Sequence, residues 1–344
     1  MKQKKLSRRP LTNHIINFAY QRGLLRIGRA FFAKSLTVVN YHRIGDPQTE
    51  LDSFLPNISA RPKDFDLQLE YLKRWFNVVT IKDLTDWLRH EKELPPYAAL
   101  ITFDDGYLDN YTEAYPILRK HNLSAAIFLT HGHIGIDAPF YWDAAAYCFH
   151  HTDSDYILFP SGETQSWTDK HQRTLISYRW IEALKNLPHA ERLQWTEQLP
   201  GQLNVSIPQN HFKNLMMNWD QIREMSAHGI EFGGHTLTHP ILTRISPEEA
   251  EREIRGSKAA IEKELGREIY SFAYPNGQKA DVNAEVEALT RKSGYRVAFT
   301  LQNGPATLRE IKRDPFAIRR IFVSHSHTLP KFALLTHRFN RYRS

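Results

Sequence analysis

The sequence predicts an α/β fold, a barrel of seven or eight parallel strands with helices outside and a helical insertion in one loop. Short runs rich in β-branched and aromatic residues alternate with stretches that have an apolar residue every three or four positions, as in parallel strands joined by helices. The number of runs favours a barrel over an open sheet. The predicted strands are residues 36–42, 76–81, 98–103, 124–131, 230–235, 269–275, 295–300 and 316–323.

Two of the predicted helices have clear sequence signals. The helix over 64–76 has one apolar stripe, formed by Phe65, Leu69, Leu72 and Trp75. The helix over 246–266 begins with Ser246 as its cap, has Glu249 at the capping-box position and ends at Gly266.

The stretch from about 138 to 218 interrupts the alternation of strands and helices. It is rich in Trp, His, Gln and Asn, and it contains helical patches without a clear strand. We therefore expect it to be an insertion on one loop of the barrel.

Basic residues are concentrated at the two ends of the chain. Residues 1–45 contain ten Lys or Arg and residues 315–344 contain six, with no acid in either range. Since these cations exceed the net charge of +7, the middle of the chain is net acidic, and no nucleic-acid partner is expected. We expect a basic amphipathic segment over 1–34, the barrel over 35–330 and a basic tail over 331–344.

The N-terminal segment has two interpretations. Arg22, Arg26 and Arg29 share one helical face, and a largely opposite apolar set is formed by Leu24, Leu25, Phe31 and Phe32. Residues 12–33 would thus lie on an anionic membrane surface, or pack on the domain with a solvated basic face. We find no cleavable signal peptide and no stretch of about 18 apolar residues. With Cys148 as the single cysteine, we expect a cytoplasmic protein, with attachment to the inner face of the membrane left open.

Polar side chains that can support chemistry follow four of the predicted strands. These side chains are His42, the pair Asp104 and Asp105, the pair His235 and His239, and the group Tyr274, Pro275 and Gly277. Because the carboxyl ends of barrel strands meet at one rim, we expect one site there. Two imidazoles and one carboxylate leave coordination positions open, which is typical of a catalytic metal.

The adjacent Asp104 and Asp105 can both face one site only if the chain leaves strand geometry there, because successive strand residues point to opposite faces. Gly106 permits this break. One carboxylate would then bind the ion and the other would take a proton from the attacking water. An ordinary Asp-Gly turn is the alternative interpretation.

Three motifs show a family resemblance: TFDDG at 102–106, HTLTH at 235–239 and FAYPNG at 272–277. They resemble the motifs of the NodB-homology polysaccharide deacetylases, carbohydrate esterase family four, and the resemblance covers most of 36–323 apart from the insertion. It implies a distorted (β/α) barrel and a hydrolase that removes N-acetyl, in some members O-acetyl, groups from amino sugars of a polysaccharide or glycan precursor. It also implies a divalent metal, with zinc first and Ni²⁺, Co²⁺ or Fe²⁺ as alternatives.

The resemblance implies a role for each matching residue. Asp104 would be the catalytic base. Tyr274 and Pro275 would line the acetyl pocket, with a backbone N–H near Tyr274 as a candidate oxyanion donor. The implied metal ligands are Asp105, His235 and His239. The alternatives to this activity are a hydrolase of the same fold that acts on a non-sugar amide, and a non-catalytic carbohydrate-binding or membrane-associated protein.

The general acid departs from the common family pattern, because we find no clear Leu-x-His match for it near the C-terminus. This gap resembles a rearranged branch, the biofilm poly-N-acetylglucosamine deacetylases, in which an early strand ending in Tyr-His provides the acid. The matching residues are Tyr41 and His42, and we expect His42 to protonate the leaving amine. The alternatives are a buried His42 bonded to backbone, and His325 or His327 as the acid.

The arginine that usually begins the third motif and tunes the base is also absent, since Phe272 or its neighbours occupy that place. Arg320, on the last strand, is a candidate to replace it by pairing with Asp104. Arg319 is nearly as good a candidate, and a solvated basic pair is an equally weighted alternative.

Overall fold

The computed structural model describes residues 9–23, 33–50 and 52–337, and its strands and helices alternate along the chain. The strands are β1 (Ser35–Tyr41), β2 (Arg43–Ile44), β3 (Ile58–Ala60), β4 (Asn77–Val78), β5 (Ala98–Asp105), β6 (Ala126–Leu129), β7 (Tyr156–Leu158), β8 (Thr164–Ser166), β9 (Glu231–Gly234), β10 (Ser271–Ala273), β11 (Val297–Phe299), β12 (Ala306–Thr307) and β13 (Ile321–Phe322). The helices are α1 (Arg9–Gln21), α2 (Pro62–Trp75), α3 (Ile81–Leu88), α4 (Tyr115–His121), α5 (Tyr141–His151), α6 (Lys170–Leu184), α7 (His189–Gln202), α8 (Trp219–Ala227), α9 (Pro247–Leu265), α10 (Ala284–Lys292), α11 (Leu308–Arg313) and α12 (Leu329–Thr336).

Nine strands form one sheet that curls back on itself. Its central order is β11-β10-β9-β6-β5-β1-β12, with β4 paired to β5 and β13 paired to β1. All these pairs are parallel except β1 with β12. Ile318 bridges to Phe299 of β11, and Ile321 pairs with Val39 of β1, so the last strand segment connects the two sides of the sheet. The predicted α/β fold with a distorted parallel barrel is confirmed.

Alternate strand residues belong to two apolar layers, as strand geometry requires. Val38 and Leu100 pack in the layer that faces the inside of the curled sheet, whereas Val39 and Ile101 pack toward the outer helices. The inner series continues at the carboxyl ends of β1 and β5 with the polar residues Asn40, His42, Thr102 and Asp104. Polar groups therefore collect at one rim.

Both helices with clear sequence signals form as predicted. α2 buries Phe65, Leu69 and Leu72. α9 begins at a capping box between Ser246 and Glu249, and ends at Gly266 in the left-handed conformation.

Two predicted strands are reduced to two residues in the structure. Of residues 76–81, the pair Asn77–Val78 forms a strand, because Thr80 and Asp83 make a capping box that starts α3 at Ile81. Of residues 316–323, the regular strand is Ile321–Phe322.

The insertion contains more than helices. It forms α5, α6 and α7 as expected, but β7 and β8 pair as an antiparallel hairpin around Gly162, which has φ +82°. The expectation of no strand in this region was therefore wrong. Three-residue strands with mostly exposed side chains have too little apolar alternation to be seen in sequence.

The two ends of the described chain pack together. Ile16 of α1 is buried, and the ring of Tyr20 lies 6.4 Å from that of Tyr71. Residues 331–336, which we expected in a basic tail, belong to α12, because Phe332 and Ala333 are buried. The segment 24–32, with Arg26, Arg29 and the apolar residues opposite them, lies outside the described residues, as do residues 338–344. Among the helices described, none has the length and apolarity to cross a bilayer.

Candidate active site

A cleft of about 780 Å³ opens at the carboxyl ends of the barrel strands. It is lined by eight residues that the sequence singled out: His42, Asp104, Asp105, His235, His239, Tyr274, Arg319 and Arg320. The insertion contributes to the opposite wall, through Tyr141, Trp142, Glu182, Lys185 and Arg192. The structure thus brings the predicted site residues together, and their individual chemical roles stay predictions.

The neighbouring carboxylates both face the cleft because the chain leaves strand geometry at Asp105. Asp105 has φ +76°, and the N–H of Gly106 donates to the carbonyl of Asp104 at 3.0 Å, which makes a γ-turn. Gly106 follows at φ +92°, where a Cβ would lie 2.8 Å from Leu129 Cδ2. The expected break therefore has its centre at Asp105, and Gly106 is required by both conformation and space.

The donor group formed by Asp105, His235 and His239 fits a divalent metal ion. Nε2 of each histidine lies 3.5 Å from Oδ1 of Asp105. Ligand atoms in a tetrahedral zinc site are separated by about 3.4 Å, from bond lengths of about 2.0–2.1 Å. Both carboxylate oxygens of Asp105 are buried and have no hydrogen-bond partner within the described part of the chain. Buried oxygens of this kind are costly unless a cation compensates them.

Burial controls the protonation of this donor group. It raises the pKa of Asp105 well above its usual value, and it lowers the pKa of both His235 and His239. The histidines are therefore neutral, which is the form that binds a metal. His235 Nδ1 lies 2.7 Å from the carbonyl oxygen of Ala273, an arrangement that leaves Nε2 for the site.

His239 is positioned by a tight loop. Thr236 and His239 have φ values of +69° and +61°, and Thr236 Oγ1 accepts a hydrogen bond from the His239 N–H at 2.9 Å. Glu253 of α9 accepts from the N–H groups of Leu237 and Thr238 at 2.7 and 2.9 Å. We did not predict a role for Glu253, because a glutamate on an amphipathic helix is ordinary in sequence.

Asp104 is held in a buried ion pair. Arg320 Nη1 and Nη2 donate to its two carboxylate oxygens at 2.7 and 2.8 Å, and Asn40 Nδ2 donates at 3.2 Å. Burial alone would raise the pKa of Asp104, but the charges of Arg320, His235 and His42 lower the pKa to about 2. The carboxylate is therefore ionised at neutral pH.

The structure distinguishes the two candidate arginines. Arg320 is fully buried and pairs with Asp104, whereas Arg319 donates to Glu310 and to the Pro305 carbonyl oxygen, both at 2.9 Å. The alternative interpretation, a solvated basic pair, is therefore wrong for Arg320. Asn40, which also accepts from Arg320 at 2.7 Å, was missed, although its alternation with Val39 and Tyr41 could have indicated its face.

The ring of His42 lies beside Asp104, with Nε2 4.0 Å from Oδ2. Its Nδ1 is buried and has no hydrogen-bond partner among the residues described, so the ring is not bonded to backbone as one alternative required. Burial lowers the pKa of His42 to about 4, with Arg320 adding to the decrease and Asp104 opposing it. His42 is thus neutral at pH 7 in the free site.

The alternative acids lie away from the cleft lining. His325 Nδ1 is 3.0 Å from the Ile58 carbonyl oxygen, and His327 Nδ1 is 3.2 Å from the Ser324 backbone nitrogen. Neither residue contributes to the described lining.

In the third motif, at 272–277, the available backbone donor is not the N–H of Tyr274. The Tyr274 N–H donates to the Phe299 carbonyl oxygen at 3.1 Å within the sheet, so it is unavailable to substrate. Pro275 is buried and does not contribute to the described lining, and its place in the acetyl pocket stays a prediction. Asn276 lines the cleft with φ +60°, and its N–H has no partner among the hydrogen bonds of the described residues. Asn276 therefore supplies the available N–H near Tyr274.

A family profile and several known proteins match this chain. The family profile described as "Polysaccharide deacetylase" matches residues 91–172 and 201–298, slightly more than half of the chain. YxkH of Bacillus subtilis, named as a member of the polysaccharide deacetylases, is 23% identical over 292 residues, which cover 84% of this chain and 71% of YxkH. The poly-β-1,6-N-acetyl-D-glucosamine N-deacetylase of Staphylococcus epidermidis is 25% identical over 217 residues, or 58% of this chain and 71% of that protein.

Solved structures show the same fold. The Streptococcus pyogenes deacetylase PplD superposes with a TM-score of 0.57 at 19% identity, over 89% of this chain and 99% of PplD. IcaB from Ammonifex degensii superposes with a TM-score of 0.55 at 20% identity, over 89% of this chain and 98% of IcaB.

Proposed function

This chain belongs to the polysaccharide deacetylase family of carbon–nitrogen hydrolases, and we propose that it removes N-acetyl groups from amino sugars of a polysaccharide or glycan precursor with a divalent metal ion. The observation that supports this most is the donor group of Asp105, His235 and His239 beside the ionised carboxylate of Asp104, inside one cleft. The name of the Staphylococcus epidermidis relative supports N-acetylglucosamine as the sugar.

Asp105, His235 and His239 would hold the metal, and their mixed carboxylate and imidazole donors suit Zn²⁺, with Ni²⁺, Co²⁺ or Fe²⁺ as alternatives. When bound, the ion supplies Lewis-acid stabilisation of the charge that develops on the acetamide oxygen and makes the attacking water more acidic. Arg320 and Asn40 keep Asp104 ionised and oriented, so that Asp104 can accept a proton from that water. The N–H of Asn276 is a further donor toward the developing oxyanion.

His42 would protonate the amine that leaves. Because free His42 is neutral at pH 7, it must first receive a proton, and Asp104, 4.0 Å away, is the neighbouring group that has taken one from water. The proton that Asp104 removes from water is then the proton that His42 delivers to the amine. Tyr141 lines the cleft and would contact the sugar ring, whereas the ring of Trp142 is buried and stacked on Phe140.

The activity is tested by acetate release from β-1,4- and β-1,6-linked N-acetylglucosamine oligomers, before and after chelation and with zinc added back. We expect release that chelation abolishes and zinc restores. Release from simple non-sugar amides without release from any glycan would favour the same-fold alternative. No release from either substrate class would favour a non-catalytic carbohydrate-binding protein.

The role of His42 can be separated from that of the base by changing the leaving group. We expect His42→Gln to lower kcat for an N-acetyl sugar about 10²- to 10⁴-fold, because an amine cannot leave unprotonated. The same variant should hydrolyse an activated aryl acetate almost as fast as the wild type, since a phenolate of low basicity needs no acid. His325→Gln is the control and should leave both rates unchanged. Equal losses on the two substrates would contradict an acid role for His42.

We also propose a cytoplasmic location with attachment to an anionic membrane surface through residues 12–33. The arginines of this segment support the proposal, although α1 ends at Gln21, before Arg22, and Ile16 and Tyr20 already pack on the barrel. Full-length protein should pellet with anionic vesicles, and the triple substitution of Arg22, Arg26 and Arg29 by Gln should reduce pelleting several-fold. Equal pelleting of the two proteins would contradict attachment by these arginines.

A further inference from the structure

One buried cation in the cleft wall has no acidic partner within the part of the chain that the structure describes. Arg192 on α7 of the insertion lines the cleft, yet it is 4% exposed. Its Nη2 lies 2.8 Å from Nδ1 of His189, and its guanidinium lies over the ring of Tyr141, 5.1 Å from the centroid. These two contacts hold one edge and one face of the group, and neither supplies negative charge.

Three other cations of the cleft are paired with carboxylates, and the fourth, Lys279, is exposed. Arg320 pairs with Asp104, Arg319 with Glu310 and Lys185 with Glu182. For Arg192, no carboxylate lies within ion-pair distance in residues 9–23, 33–50 and 52–337. Arg244 is the nearby ionised side chain that acts on Arg192, and it adds to the positive potential. A buried charge of this kind is costly unless an anion compensates it.

The position of Arg192 relates it to the reacting group. Arg192 and His239 both line the cleft. Tyr141, under the guanidinium, is followed by Trp142, whose ring centroid lies 4.9 Å from that of His239. A sugar held with its acetamide at Asp104 and His239 would therefore extend another substituent, or its next ring, toward Arg192.

We propose that Arg192 binds an oxyanion of the substrate, a carboxylate or a phosphoryl group carried on or next to the N-acetylated sugar. This inference rests on the proposed function and narrows its substrate class to anionic glycans. A planar guanidinium with four of its five N–H donors unused by partners among the described residues can bind either oxyanion through two parallel hydrogen bonds. The insertion would thus select the substrate, while the barrel rim performs the hydrolysis.

The test compares one neutral N-acetylglucosamine oligomer with two derivatives, one with a uronic acid next to the acetylated sugar and one with a phosphate on its reducing end. We expect the wild type to prefer one derivative, which identifies the source of the oxyanion. Arg192→Met should raise KM for that derivative about 10- to 100-fold, the range of a charge-assisted hydrogen bond, and change KM for the neutral oligomer less than about twofold. Arg192→Lys should be intermediate.

Arg179→Met is the matched control, because Arg179 is exposed on α6 of the same insertion and outside the cleft lining. It removes the same charge and should leave the preference unchanged. Thermal unfolding separates binding from a structural role: Arg192→Met should unfold at the same or a higher temperature, since it removes an uncompensated buried charge.

Equal effects of Arg192→Met on neutral and anionic oligomers, or no preference in the wild type, would overturn the inference. Calorimetry measures binding of the same derivatives to the wild type and to Arg192→Met without requiring deacetylation. This measurement tests the anion site separately from the proposed function. If no oligomer is deacetylated but an anionic one binds through Arg192, the proposed function fails and the anion site stands. If the neutral oligomer is deacetylated and neither derivative binds better, the proposed function stands and the anion site fails.

Discussion

Replacing Asp104 with Asn is expected to lower kcat/KM for deacetylation about 10³-fold, within the 10²- to 10⁴-fold range of general base catalysis. The carboxylate is buried and ionised, and an amide in its place cannot accept the proton of the attacking water. We expect bound metal to stay at the wild-type level, because Asp104 is outside the donor group of Asp105, His235 and His239. Activity and metal content by elemental analysis are both measured.

Asp105→Asn is the matched variant, since it makes the same change at the next residue. Its activity should fall as far, but the protein should also lose about one equivalent of metal. The difference between variants is informative because Asp52, His150 and His151 form a second group of potential ligands, and metal bound there would be common to both proteins. A loss of metal in Asp104→Asn with retention in Asp105→Asn would reverse the two assigned roles.

Replacing Arg320 with Met is expected to destabilise the fold by about 3–5 kcal/mol, the cost of removing one partner from a buried ion pair. The variant leaves Asp104 buried without its bidentate partner and removes a donor to Asn40 and to the Thr300 carbonyl oxygen. Arg319→Met, the neighbouring change, should cost less than about 1 kcal/mol, because Arg319 and Glu310 are partly exposed. The free energy of unfolding is measured by denaturant titration. Similar losses in the two variants would contradict the assignment of Arg320.

The pH dependence of stability gives a second measure of the ion pair between Asp104 and Arg320. The pKa of Asp104 is about 2 in the fold against an ordinary 3.8, so this group stabilises the protein fully above about pH 4, and the contribution is lost as the pH falls toward 2. In metal-free Arg320→Met, burial is no longer opposed by the arginine and the pKa of Asp104 rises. The contribution of Asp104 should then change sign, with relative stability increasing as the pH falls. The double substitution Asp104→Asn with Arg320→Met should be less destabilised than the sum of the single changes.

Much of the fold was predictable because its signals are local. Strand runs, the apolar stripe of α2 and the capping box of α9 each depend on residues within about one helical turn or on strand alternation. The errors also have local causes. The capping box at Thr80 and Asp83 was not recognised within an apolar run, and the hairpin around Gly162 is too short and too exposed to show a period.

The candidate site was predictable where its residues lie at the ends of strands. Barrel topology brings such ends to one rim, which is why Asp105, His235 and His239 could be grouped in advance. Asn40, Asn276 and Arg192 were missed because their importance depends on which hydrogen bonds their neighbours leave unfilled.

The sequence by itself determined the α/β barrel, the chemical types of the site residues and the need for a turn between Asp104 and Asp105. The tertiary structure decided which arginine pairs with Asp104 and which backbone N–H is available to substrate. It also decided which of the candidate general acids, His42, His325 or His327, lies in the cleft. The reason is physical: Arg320 and Asp104 are 216 positions apart, and their contact depends on the register and curvature of the sheet. Those quantities result from the packing of many strands and helices at once, so no short stretch of sequence contains them.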